Sequence, residues 1–136
     1  AEEKALFSTP GVNIGLFCST PMVALSRNVT NKHALEMLLT GDLVSAHRAA
    51  EIGLINAVTE ADDLTTKVME VAMKIAAKSS ATVAIGKRAF YEQCEMSLPD
   101  AYIFGAEVMV GNMLTQDAQE GINAFIEKRT PKWSDQ

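Results

Sequence analysis

Thr40-Gly41-Asp42-Leu43-Val44-Ser45-Ala46-His47-Arg48-Ala49-Ala50-Glu51-Ile52-Gly53-Leu54-Ile55 decides how the chain is read. Gly41 falls where a helix ends, because glycine adopts the left-handed conformation that closes a last turn at little cost. Ser45 starts the next helix, with Ala46, Ala49, Ala50 and Ile52 on it and Gly53 as its stop. Leu54 to Val58 is a short apolar run of strand type. Upstream, Thr30 or Asn31 caps a helix whose Ala34, Leu35, Leu38 and Leu39 fall at helical spacing. Before it, Thr20 is an N-cap with Pro21 at the first helical position, and that helix runs to about Arg27. Ala5 to Phe17 reads as extended, but Pro10 cannot sit in a central ladder. The spacing there predicts a short strand, a turn and an irregular stretch.

Downstream, four helical patterns follow. Leu64, Val68, Val71, Ala72, Ile75 and Ala76 mark a long stripe, with Thr59 and Asp62 placed as a capping pair. Val83, Ala84, Phe90, Tyr91 and Cys94 mark the next, preceded by Ser79-Ser80. Ser97 and Asp100 bracket Pro99 at a third start, which carries Ala101, Phe104, Gly105, Val108 and Met109. The last helix opens near Gln116-Asp117, buries Ile122 and Phe125, and stops before Pro131. The stripes of these helices hold more apolar surface than their own core can cover. The expectation is a mainly helical chain with two or three short strands.

Twelve Lys and Arg against seventeen Asp and Glu leave a net charge of −5 in 136 residues. A nucleic-acid partner or an anionic membrane surface needs clustered positive charge, so neither is expected. Hydrophobic residues at 48% and charged residues at 21% are globular values and argue against disorder. No run of about 18 apolar residues is present. Ala1-Glu2-Glu3-Lys4 lacks the basic and then apolar pattern of a signal peptide. Cys18 and Cys94 make no disulfide framework and lack metal-ligand spacing, so a reducing compartment and no metal are expected.

No cluster makes an unaided case for catalysis. His33 and His47 each sit near a helix start, where a solvated or capping role suits them. Cys18 lies beside Ser19 and Thr20 in a loop, but no nearby histidine activates it as a nucleophile. The pairs Asp62-Asp63 and Glu2-Glu3 are adjacent in sequence and point apart, whereas acid–base work needs two carboxyls converging on one substrate. Phosphate loops, CxxC and HExxH patterns are absent.

Three stretches nevertheless resemble one family. Residues 40–55 are similar to the motif TG-x-x-[IV]-SA-x-x-A-x-x-GL-[VI] of the enoyl-CoA hydratase/isomerase (crotonase) family. Asp117-x-x-Glu120-Gly121-Ile122-x-Ala124-Phe125-x-Glu127-Lys128-Arg129-x-Pro131 resembles its closing signature, and Phe7-Ser8-Thr9-Pro10-Gly11-Val12-Asn13-Ile14-Gly15-Leu16 its F-x-x-PE-[VI]-x-[LIV]-G stretch. The run Gly15 to Pro21 resembles one subgroup more narrowly. The three stretches occur in order and cover essentially the whole chain. The resemblance implies an α/β fold of the ClpP/crotonase-like superfamily, represented here by its mainly helical C-terminal half. Residues 1–58 would be the end of the spiral core and 59–136 a helical oligomerisation region.

The resemblance also implies an acyl-CoA thioester as substrate, in fatty-acid metabolism, with coenzyme A as part of the substrate and no separate cofactor. It implies a homo-oligomer, trimer or hexamer, in the mitochondrial matrix or bacterial cytoplasm. The family's hydratases use the glutamate of PE as an acid or base, and that position here is Gly11, which cannot transfer a proton. The aspartate of related dienoyl-CoA isomerases aligns with Ser19. No catalytic residue is therefore intact, and the chain alone is expected to be catalytically silent. Isomerase, hydrolase or decarboxylase chemistry on a thioester stays open, as does a non-catalytic acyl-CoA binder or a helical oligomerisation module. Phe125 and Lys128 match residues that lie near the adenine and phosphates of CoA in the family. Each has a structural alternative as well: core filler for Phe125, and a cation at a helix C-terminus for Lys128.

Overall fold

The computed structural model describes residues 1–135. Among them two short strands, β1 (Leu6–Phe7) and β2 (Val44–Ser45), pair antiparallel with Leu6 opposite Ser45 and Phe7 opposite Val44. Seven α-helices follow in chain order: α1 (Ser19–Ser26), α2 (Asn31–Thr40), α3 (Ala46–Glu51), α4 (Leu64–Ala76), α5 (Ser80–Gln93), α6 (Leu98–Met113) and α7 (Gln116–Glu127). Single 3-10 turns occupy Pro10–Ile14 and Ala61–Asp63. The chain forms two compact units, Ala1–Glu70 and Val71 onward.

The first unit has the better-filled core. Leu25 and Val29 meet Ala34, Met37 and Leu38 of α2, with Phe7, Val44, Ile52 and Leu54 packed around them. Positions 34, 37 and 38 fall at helical i, i+3, i+4 spacing, so α2 buries that stripe and leaves Leu35 and Leu39 out. Of the four residues expected on the stripe, Ala34 and Leu38 are inside. Ala46 and Ala49 are fully buried, which lets α3 lie close on its neighbours. Ser45 caps α3 as expected, its Oγ accepting from Arg48 N–H at 3.2 Å.

Several local expectations are corrected. Leu54–Val58 is not a strand. The N–H groups of Leu54 and Ile55 both donate back to Ala49 O, at 2.8 and 3.3 Å, and so are lost to any ladder. The partner of β1 is instead Val44–Ser45, in the short link between α2 and α3. Thr59 is not a cap but makes one parallel bridge to Glu2, and Glu60 precedes the 3-10 turn. Helix α1 begins at Ser19, one residue before the expected cap Thr20. Pro21 is tolerated there because first-turn N–H groups have no intrahelical partner. The stretch after β1 holds the expected turn, a 3-10 turn over Pro10–Ile14.

In the second unit, side chains cap α5, α6 and α7. Ser79 Oγ accepts from Thr82 N–H, Ser97 Oγ from Asp100 N–H, and Thr115 Oγ1 from Ala118 N–H. Helices α4, α5 and α6 nevertheless bury no residue. Val71, Ile75, Phe90 and Met109 are all more than half exposed, in line with the surplus of apolar surface expected from the sequence.

Candidate functional site

Gly11 sits in the 3-10 turn that follows β1. Ser8 Oγ donates to Gly41 O at 3.0 Å and Thr9 Oγ1 to Met37 O at 2.9 Å, which staples this segment onto the C-terminal end of α2. Gly41 is left-handed, with φ 67°, and the Asn13 amide lies against it, 2.9 Å from where a Cβ would stand. The glycine is therefore required twice over, by conformation and by space. Leu16 N–H donates to Gly11 O at 2.9 Å, and Gly11 N–H donates to Cys18 Sγ at 3.3 Å. The loop thus folds back over Gly11. A Cβ at that position would stand 2.8 Å from Leu16 O and 2.8 Å from Cys18 Sγ. Residues 8–21 contain no Asp, Glu or His, and exposed Ser19 Oγ donates to Phe17 O. This segment presents backbone and hydroxyl groups but no titratable carboxylate or imidazole.

The histidines and acidic pairs stay apart from it in chemistry. His33 Nδ1 lies 3.5 Å from Glu36 Oε2 and 3.5 Å from Arg48 Nη2 in a solvated cluster. His47, Asp62 and Asp63 are exposed. Among the described residues no group of three or more His, Cys, Asp and Glu is placed to hold a metal ion.

The end of α7 carries Phe125 and Lys128. The sequence pattern places Ile122 and Phe125 in the core, and the structure corrects this: Ile122 is 48% and Phe125 85% exposed. The buried stripe of α7 is Asp117 and Ala124, with Glu120 and Gly121 half-buried between them. That inner face is polar and small because residues 132–135 lie on it, leaving the apolar stripe of Ile122, Phe125 and Ile126 open.

Asp117 Oδ1 accepts from Ser134 N–H at 2.7 Å and Ser134 Oγ at 2.8 Å, and Oδ2 from Asp135 N–H at 3.0 Å. The Ser79 hydroxyl, then Ser134 and Asp135, hold this carboxyl below its usual range against the opposing effect of burial. Arg129 closes a two-pronged pair on Glu120, Nη1 to Oε1 at 2.6 Å and Nη2 to Oε2 at 2.9 Å, and its Nε donates to Glu127. Lys132 N–H adds a third bond to Glu120 Oε1 at 2.8 Å. The Arg129 fork and that amide lower the Glu120 pKa to about 2, and the two glutamates raise that of Arg129. Trp133 Nε1–H donates to Ala77 O at 2.9 Å, and its ring lies beside Gly121. Sequence reading placed Asp117, Glu120 and Arg129 in the closing signature but paired none of them and did not find Lys132, Trp133, Ser134 or Asp135 as partners. The signal was the i, i+3 spacing of Asp117 and Glu120, which puts two carboxylates on the same stripe as Gly121 and Ala124.

Lys128 itself ends α7 in the left-handed conformation, with φ 55° and ψ 39°. Its N–H donates to Phe125 O at 3.3 Å, and Arg129 N–H to Ala124 O at 3.0 Å, the paired bonds of a Schellman ending. Glycine is the usual residue at this point, and a side chain there costs roughly 1–2 kcal/mol. Lys128 and Phe125 are thus both exposed, one turn apart. Beside Phe125 a groove of about 510 Å³ is lined by Thr82, Val83, Asn112, Ile122, Phe125 and Trp133, among others.

The enoyl-CoA hydratase/isomerase family model matches residues 1–136. The chain belongs to that family. Mitochondrial enoyl-CoA hydratase domain-containing protein 3 of Mus musculus is 51% identical over 134 residues, which are 98% of this chain and 45% of that protein. This is the subgroup that Gly15 to Pro21 resembles. The crystal structure of the human enoyl coenzyme A hydratase domain-containing protein 3 matches with a TM-score of 0.94 and 48% identity, covering 98% of this chain and 53% of that one. That of an enoyl-CoA hydratase from Mycobacterium smegmatis matches with a TM-score of 0.95 and 47% identity, covering 98% and 52%. The chain therefore spans about half the length of the relatives it matches. Its fold is that of the crotonase family, and its mainly helical content with one two-stranded sheet is consistent with the C-terminal half. Much of the family motif reads as structure: Gly41, Ser45, Ala46 and Ala49 build one junction, and Asp117, Glu120 and Arg129 another.

Proposed function

We propose that this protein binds acyl-CoA thioesters of fatty-acid metabolism through the exposed end of α7, and acts on them without a proton-transferring side chain at position 11. Phe125 offers an aromatic face suited to stacking on adenine, and Lys128 an ammonium suited to a phosphate. The observation that carries this reading is the 85% exposure of Phe125 one turn from a left-handed Lys128, in a chain of the enoyl-CoA hydratase/isomerase family. Within residues 1–135 no helix covers Phe125, so it is not core filler of this part of the chain. Residues 1–58 then serve as the end of the spiral core and 59–136 as the region that joins subunits into a trimer or hexamer. The open faces of α4, α5 and α6 suit that second role. The mitochondrial names of the relatives support a mitochondrial location.

At Gly11 the enclosed backbone supports the absence of the family's acid. Chemistry that relies on backbone amides to stabilise a thioester oxyanion needs no carboxylate there. The absence of any Asp, Glu or His in residues 8–21 favours a second reading, an acyl-CoA binder without turnover. One experiment separates the two. CoA binding to the full-length protein is measured by calorimetry at low salt, and consumption of crotonyl-CoA is followed alongside. Binding lost in Lys128→Glu supports the site, by about 1–3 kcal/mol for a charge-assisted contact. Binding without turnover selects the binder. Hydration at ordinary family rates overturns the reading of Gly11.

A further inference from the structure

We propose that Glu120 is a positioning residue for Lys128: through Arg129 and Lys132 N–H it holds the end of α7 in the left-handed turn that sets where the Lys128 ammonium stands beside Phe125. The inference rests on the reading of Lys128 as a CoA contact. A lysine has no intrinsic preference for positive φ, and the last turn of a helix frays readily. Something must hold residue 128 there. The residue next to it, Arg129, is fastened by both guanidinium prongs to Glu120, nine positions back on the inner stripe of the same helix, and by Nε to Glu127. The same Glu120 oxygen takes Lys132 N–H, so both sides of the 128–132 turn converge on one carboxylate. A planar two-pronged pair fixes direction as well as distance, which a single lysine–carboxylate contact does not. With residues 129 and 132 both tied to α7, the chain has to reverse at 128, and reversal through one residue requires the left-handed conformation. The conformational cost at Lys128 is sustained because its surroundings over-determine it.

The test uses calorimetric titration of the full-length protein with coenzyme A at low salt, and backbone NMR at residue 128. Lys128→Gly keeps the turn and removes the ammonium. It is expected to weaken CoA binding about tenfold while raising the denaturation midpoint. Glu120→Gln keeps size and loses the charged fork. It is expected to weaken CoA binding several-fold and to abolish the positive-φ signature at 128. The double variant should bind no more weakly than Lys128→Gly alone, because Glu120 acts only through Lys128. Additive losses, or unchanged affinity and an intact positive-φ signature in Glu120→Gln, overturn the positioning role. Unchanged CoA affinity in Lys128→Gly overturns the CoA reading instead, and the NMR signature then still decides whether Glu120 holds the turn.

Discussion

Replacing Gly11 by alanine should destabilise the protein by about 2 kcal/mol, and the structure indicates why. The added methyl would stand 2.8 Å from Leu16 O and 2.8 Å from Cys18 Sγ, inside the 3.5–4.0 Å at which non-bonded heavy atoms are comfortable. The sulfur can rotate away. The carbonyl cannot move freely, because the same residue's N–H donates to Gly11 O at 2.9 Å. Relief therefore requires opening that bond, worth about 1 kcal/mol net, or accepting overpacking strain of about 1–3 kcal/mol. Gly86 is the control, since a Cβ there meets nothing within 4 Å and a glycine inside a helix is worse than alanine by about 1 kcal/mol. Urea denaturation monitored by circular dichroism is the assay. Gly11→Ala should lower the midpoint at unchanged slope, and Gly86→Ala should raise it. Cys18→Ala added to Gly11→Ala should recover only part of the loss, because the carbonyl contact remains. The same geometry predicts that Gly11→Glu does not install a hydratase, since its side chain leaves through the same obstructed Cβ. A Gly11→Ala protein as stable as its parent, or a folded Gly11→Glu protein that hydrates crotonyl-CoA, would refute the reasoning.

Leu38→Ala should cost about 2–5 kcal/mol, since Leu38 is 1% exposed at the centre of the first unit, and a loss under 1 kcal/mol by denaturation would contradict that placement. Residues 132–135, a C-terminal strap bonded to Asp117 and Glu120, should loosen in acid: Glu120 titrates near 2 when folded against a usual 4.5, so its contribution is complete above about pH 4.5 and is lost as pH falls towards 2. Asp117, also lowered, shifts stability in the same direction. Trp133, the single tryptophan, should report this as a red shift of emission, and a transition already complete at pH 5 would reject the assignment. Asp117→Ala should free the same strap at neutral pH, read as faster hydrogen exchange at the amides of Ser134 and Asp135.

Most helix positions were legible in the sequence because caps, stops and stripes are local. Ser45, Ser79 and Ser97 lie within three residues of the amides they satisfy, and Gly41 and Gly53 mark ends wherever they occur. The family motifs placed the fold, and residue identity alone showed that position 11 carries no acid. Long-range pairing was not legible. Which two-residue segment meets Leu6–Phe7 depends on where α2 and α3 pack, and a run of two residues has no periodicity that separates Val44–Ser45 from Leu54–Val58. The face of α7 that turns inward was likewise a tertiary decision. The apolar stripe through Ile122 and Phe125 looks like the buried side by pattern. The strap's amides and the Arg129 fork instead satisfy Asp117 and Glu120, so the polar stripe goes inside and Phe125 stays out. A buried carboxylate is tolerated only when partners distant in sequence arrive to bond it, and the chain of residues alone does not say which partners will arrive.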